Sequence, residues 1–182
     1  MPGLPLRFDP IEEARRQWGL RWDDRFRDTM AAATSIMRAQ QIVLAAVDEA
    51  LRPFDLTFAR YEALMLLSFS RRGALPLGKM SQRLMLHQAS VTNIVNRLEA
   101  QGLVRRVPHP TDGRTTLAEL TDEGRRLAAD ATEAVHRSEF GLTALGEPEL
   151  GDLVTVVRHL RLTAGDFAEA QADGRSDGPS TG

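Results

Sequence analysis

His87-Gln88-Ala89-Ser90-Val91-Thr92-Asn93-Ile94-Val95-Asn96-Arg97-Leu98, continued by Glu99-Ala100-Gln101-Gly102 and Leu103-Val104-Arg105-Arg106-Val107, is the stretch on which the fold turns. Val91, Ile94, Val95 and Leu98 recur at three- and four-residue spacing, which predicts a helix over about 88–101 with one inward stripe. Gln88, Ser90, Thr92, Asn93, Asn96 and Arg97 fall mostly on the opposite face. Gly102 is placed to be the left-handed stop of that helix. The period then changes to two. Leu103–Val107 and Thr115–Leu120 read as strands around the polar tip His109-Pro110-Thr111-Asp112-Gly113, a hairpin.

Upstream, a short helix at about 78–85 and a turn at 86–88 precede this helix. Before them, Thr57 is placed to cap a helix running through Leu67, with Leu56 and Tyr61 as its hydrophobic staple and Gly73 beyond its end. Downstream, Thr121 caps another helix that carries Asp122 and Glu123 in its first turn. Two short helices joined by a tight turn, then a basic two-stranded hairpin, is the element order of a winged helix-turn-helix. The expected class is therefore mainly α with a small β-wing.

Helices flank this lobe. Asp9-Pro10-Ile11-Glu12 opens one that reaches about Trp18. A longer one spans roughly Asp24 to Leu51 and stops at Pro53. The last starts near Gly146 and carries Leu150, Leu153, Val154, Val157, Leu160, Ala164 and Phe167 as an apolar stripe. The predicted organisation is an N-terminal extension helix over 1–28, a winged helix-turn-helix domain with dimerisation helices over 29–170 (DNA-binding lobe about 57–121), and a disordered tail over 171–182.

Composition removes several function classes. With 42 % hydrophobic residues the chain is not a disordered one, and with 5 % aromatics its core falls to Leu, Val, Ala and Met. It has no cysteine, which excludes disulfides, zinc-thiolate sites and thiol switches. His87, His109, His136 and His159 are scattered without metal-ligand spacing, and neither a nucleophile elbow nor a glycine-rich phosphate loop occurs. No enzyme, metal or cofactor is expected. The N-terminus lacks a secretory apolar segment, and no apolar run approaches the roughly 20 residues of a membrane span, so a soluble cytoplasmic protein is expected.

The net charge of −2 hides an asymmetry. Residues 76–116 carry Lys79, Arg83, Arg97, Arg105, Arg106 and Arg114 against only Glu99 and Asp112, while beyond residue 117 acidic residues outnumber basic ones about two to one. A basic island can focus double-stranded DNA onto one surface. A helix that enters the major groove needs small polar groups on its outer face, which this one has. The residues expected to contact DNA are Lys79, Gln88, Ala89, Ser90, Thr92, Asn93, Arg97 and Arg114. A helical protein-interaction module without DNA specificity is the alternative.

The segments Leu77–Leu84, Ser90–Arg106, Pro110–Arg114 and Leu120–Gly124, in this order and spacing, resemble the MarR family of regulators, over about residues 30–168. The resemblance implies a homodimer held by the first long helix and the last two. It also implies recognition helices in major grooves of a near-palindromic operator, wings in minor grooves, and a ligand-responsive repressor. The family's Asp-x-Arg wing motif corresponds to Asp112, which supports the wing, and Arg114, which enters the minor groove. The family often has Asp where this chain has His87, and Arg where it has Asn93.

Trp18 and Trp22 are the only tryptophans, and they lie in the added N-terminal helix region. The urate-responsive subgroup of the family is similar in having such a helix. Its ligand-surrounding positions correspond to Trp18, Glu62, Asn93 and Arg105. By that resemblance an effector pocket is expected near Trp18, Tyr61, Glu62 and Arg105, for a small aromatic or acidic ligand.

Overall fold

The computed structural model describes residues 6–112 and 114–169, so the expected tail over 171–182 lies outside the described residues. The chain divides into two units, one ending at Leu142 and one beginning at Thr143.

The first unit opens with α1 (Pro10–Gly19). Asp9 Oδ1 accepts the Ile11 amide at 2.8 Å, and Pro10 occupies a position whose N–H would have no helical partner. Helix α2 (Asp24–Leu51) comes next, and α1 packs on its first half, where Arg15 pairs with Asp28 at 2.9 Å. A 3-10 turn at Arg52–Phe54 ends α2, and Asp55 turns the chain in the left-handed region at φ 50°. Helix α3 (Phe58–Ser68) begins after Thr57, but the Thr57 hydroxyl makes no capping bond. Asp48 of α2 supplies it instead, accepting the Phe58 amide at 2.7 Å.

Beyond α3 lie β1 (Ala74–Pro76), α4 (Leu77–Leu84), α5 (Gln88–Ala100), β2 (Val104–Pro108), β3 (Thr116–Leu120) and α6 (Asp122–Arg137). The three strands form an antiparallel sheet in the order β1-β3-β2, with Val104 opposite Leu120 and Pro108 opposite Thr116. Strand β1 was not expected from the sequence. It is three residues long and ends in Pro76, which donates no ladder bond, so it is an edge strand only because β3 offers it a free side.

Gly102 takes φ 74°, as its stop position requires. Gly124 is needed for a different reason: a Cβ there would lie 2.1 Å from the Leu103 carbonyl oxygen. That approach seats the start of α6 against the Gly102–Leu103 turn that follows α5, and Thr121 bridges the same junction. Its Oγ1 accepts the Gly124 amide at 3.0 Å and donates to the Gly102 carbonyl at 2.8 Å.

One apolar core joins these elements. Leu51, Leu64, Leu67, Met80, Val91, Val95 and Leu98 are fully buried, together with Ala118 from the sheet and Val135 from α6. Burying a side chain of that size contributes about 1.5–3 kcal/mol. Helix α2 behaves differently. Its Ile36, Met37, Ile42 and Leu44 are exposed, and one window of it reaches a mean hydropathy of 1.3. By length and composition alone α2 could cross a membrane, which amends the expectation that no segment is apolar enough.

The second unit contains α7 (Glu147–Thr163), where Glu149 Oε2 accepts the Gly146 amide at 2.7 Å. Leu153, Val154, Val156 and Leu160 of α7 are exposed. After the helix, Phe167 lies under the guanidinium groups of Arg158 and Arg161, at 5.1 and 5.5 Å.

Candidate nucleic-acid interface

Helix α5 buries Val91, Val95 and Leu98 and exposes Gln88, Ala89, Ser90, Asn93, Asn96 and Arg97. His87 stands at its N-cap without a side-chain bond, so the first amides of α5 point outward uncapped. Thr92 is half-buried and donates its hydroxyl proton to the Gln88 carbonyl at 2.9 Å, leaving only an acceptor for a base or phosphate. Lys79 is exposed on α4. The turn between α4 and α5 is held by Ser81, whose hydroxyl donates to the Leu86 carbonyl at 2.6 Å, with Met85 at φ 51°.

At the hairpin tip, Asp112 Oδ1 accepts the Arg114 amide at 3.0 Å and its Oδ2 accepts the Thr115 hydroxyl at 2.7 Å. Those two bonds, the Thr115 bond foremost, hold its carboxyl below the ordinary aspartate range. The carboxylate is thereby committed to the turn, and Arg114 beside it is exposed.

One residue of this surface is not evident from the sequence. Arg106 of β2 bonds to the Glu99 carboxylate and to Asn96 Oδ1 at 2.6 Å, both on α5. Glu99 also accepts the Arg106 amide at 3.2 Å. The brace ties the wing to the helix and neutralises the one carboxylate between Lys79 and Arg106. Lys79, Arg83, Arg97 and Arg114 form no ion pair among the described residues, so the positive charge of this face is uncompensated. The signal for Arg106 was present in Glu99 and Arg106 lying on either side of the Gly102 reversal.

The four residues expected around an effector do not meet in one cavity. Trp18 stacks on Trp22 with ring centroids 4.5 Å apart. Tyr61 is a core residue whose hydroxyl meets Thr132 Oγ1 of α6 at 3.0 Å. Arg105 pairs with Glu119 across the hairpin at 2.6 Å. Glu62 alone lines a cavity, of about 520 Å³, between α2 and α3. The cause is the length of α2. Trp18 lies near its start and Glu62 near Asp48, some twenty residues on, which is about 30 Å of helix rise.

The sequence profile of the MarR family matches residues 54–115. Sco5413 of Streptomyces coelicolor, a MarR family transcriptional regulator of known structure, is 51 % identical, covering 78 % of this chain and 99 % of its own, with a TM-score of 0.73. The chain belongs to the MarR family. Members of the family are transcriptional regulators and not enzymes, and YhbI of Bacillus subtilis, an HTH-type transcriptional regulator, is 30 % identical to this chain over 84 % of its length and 91 % of YhbI's own. A second Streptomyces coelicolor MarR regulator, Sco3205, was solved in complex with DNA. It is 25 % identical, covering 73 % of this chain and 88 % of its own, with a TM-score of 0.65. The winged helix of this chain is thus the MarR fold, with β1 completing the sheet of the wing.

Proposed function

We propose that this MarR-family chain is a homodimeric, ligand-responsive repressor that acts in the cytoplasm on a near-palindromic operator. The observation that carries the reading is the joint face of α5 and the wing, where exposed Arg97 and Arg114 have no acidic partner among the described residues and Asp112 and Glu99 are spent on internal bonds. In this arrangement the start of α5 (Gln88, Ala89, Ser90, Thr92 and Asn93) reads base edges in the major groove. Lys79 and Arg97 contact phosphates, and Arg114 enters the minor groove.

Dimerisation accounts for the apolar side chains that α2 and α7 leave exposed, since patches of that kind on a soluble chain mark interaction surfaces. Two copies place two recognition helices on half-sites about one helical turn apart. Ligand response results if the cavity between α2 and α3 is occupied, because Leu86 in its lining belongs to the turn that leads into α5. Release of DNA requires a ligand that binds the detached dimer more tightly than the bound one.

Selection of duplexes from a random pool, with binding titrations at several salt concentrations and sedimentation of the free protein, tests the reading. A dimer that enriches a two-fold symmetric site and loses affinity steeply with salt is expected. A monomer at micromolar concentration with no duplex preference refutes it, and a salt-insensitive interaction points to a protein-binding module.

A further inference from the structure

The cavity between α2 and α3 carries a charge pattern that names a class of ligand. Its volume of about 520 Å³ is that of a small-molecule site. Its walls are mainly apolar, with Phe58 on one side and Phe140 on another. Two carboxylates, Asp48 and Glu62, lie in the lining, and among the described residues no Lys, Arg or His does. Asp48 already accepts the Phe58 amide. Glu62 makes no hydrogen bond or ion pair among the described residues, and burial pushes its carboxyl up. A half-buried carboxylate without a partner is a cost that a bound cation removes.

Phe140 reaches this place through an unusual backbone. Glu139, Phe140 and Gly141 take φ 46°, 53° and 77° in succession, and a Cβ at Gly141 would lie 2.6 Å from Ala46 Cβ on α2. Two consecutive non-glycine residues in the left-handed region are strained, and the packing of Gly141 on α2 holds them there. An aromatic ring is thereby set at the cavity wall, and aromatic faces attract cations.

We propose that this cavity binds a hydrophobic organic cation, a quaternary ammonium or a protonated arylamine, with its charge at Glu62 and its apolar groups against Phe58 and Phe140. An aromatic acid is disfavoured, because it would bring a further negative charge beside Asp48 and Glu62 with no cation to meet it. This class departs from the acidic ligand that the resemblance to urate-responsive regulators implies, and the position of Asn93 in place of an Arg accords with the departure. The assignment rests on the reading of the chain as a ligand-responsive regulator.

Calorimetric titration of the full chain with benzyltriethylammonium, salicylate and benzyl alcohol tests it. Benzyltriethylammonium is expected to bind, Glu62→Gln to weaken it at least about tenfold, and benzyl alcohol to bind both proteins alike. Phe140→Leu keeps an apolar wall and is expected to weaken the cation more than the alcohol, which guards against a misfolded Glu62→Gln. Salicylate binding as tightly as the cation, cation binding insensitive to both substitutions, or no heat from the cation at millimolar concentration overturns the proposal. Anisotropy of a labelled duplex obtained by selection separates the two levels. Cation binding without duplex release overturns the ligand-responsive reading and leaves the ligand class standing, and failure to bind any duplex refutes the DNA reading while calorimetry still decides the class.

Discussion

Arg106→Ala should uncouple the wing from the recognition helix. The substitution removes the charged bond to Glu99 and the bond to Asn96 Oδ1. The Arg106 and Glu99 side chains are 28 % and 39 % exposed, between a surface pair and a buried one. A charge-assisted bond is worth about 1.5–3 kcal/mol when sheltered and about 0.2–1 kcal/mol when exposed. With the weaker Asn96 bond added, a loss of roughly 1–2.5 kcal/mol in urea-unfolding stability is expected at unchanged m. The diagnostic quantity is the coupling to the wing tip. Arg114→Ala should cost DNA affinity in the natural background and less where Arg106 is already Ala, because an unbraced wing no longer presents Arg114. A double-mutant cycle on the selected operator should give a coupling of at least about 0.5 kcal/mol. Arg106→Lys, which can keep one contact to Glu99, should fall between. Additive effects of Arg106→Ala and Arg114→Ala, within about 0.3 kcal/mol, would refute the reasoning and reduce the brace to a local ion pair.

Arg114→Ala alone should lower the log–log salt slope of binding by about 0.9, whereas Gln88→Ala should cost on the order of 1–3 kcal/mol on the selected operator and little on random duplex; equal losses on both would confine Gln88 to the backbone. Gly124→Ala should destabilise the first unit by about 3 kcal/mol or more, a melting temperature lowered by roughly 10 °C, since its Cβ meets the Leu103 backbone; a melting point unchanged in calorimetry would disprove that close approach. Asp112 has a depressed carboxyl, so its contribution to the wing is present above the ordinary range and is lost as pH falls through the folded value. Amide protection factors at Arg114 and Thr115, with the intrinsic pH dependence of exchange divided out, should therefore be constant from neutrality down to the ordinary aspartate range and fall only below it, and Asp112→Ala should abolish that dependence.

Much of the DNA-facing lobe was readable because it is built from local chemistry. The stripe Val91, Ile94, Val95 and Leu98 has one helical solution, Gly102 ends it, and Thr121 caps α6 through its own third neighbour, Gly124. Strand β1 was not readable, because three residues with a proline become a strand only beside β3. The start of α3 was readable, but the group that caps it was not. Thr57 has the right residue type in the right place, yet the bond comes from Asp48, ten residues earlier on another helix.

Element order, the sign of the charge on α5 and the wing, and family membership were all present in the linear chain, because they depend on spacings of a few residues and on turn chemistry. The grouping of side chains into sites was not. Trp18 and Glu62 are separated by the length of α2, Arg105 is drawn to Glu119 by strand register, and Glu62 instead faces Phe140, some eighty residues away in sequence, across a cavity whose lining holds no Lys, Arg or His among the described residues. Hydrophobic period and capping rules carry no information about such distances. Only the packing of α2 against α3 and the turn at Glu139–Gly141 decides them.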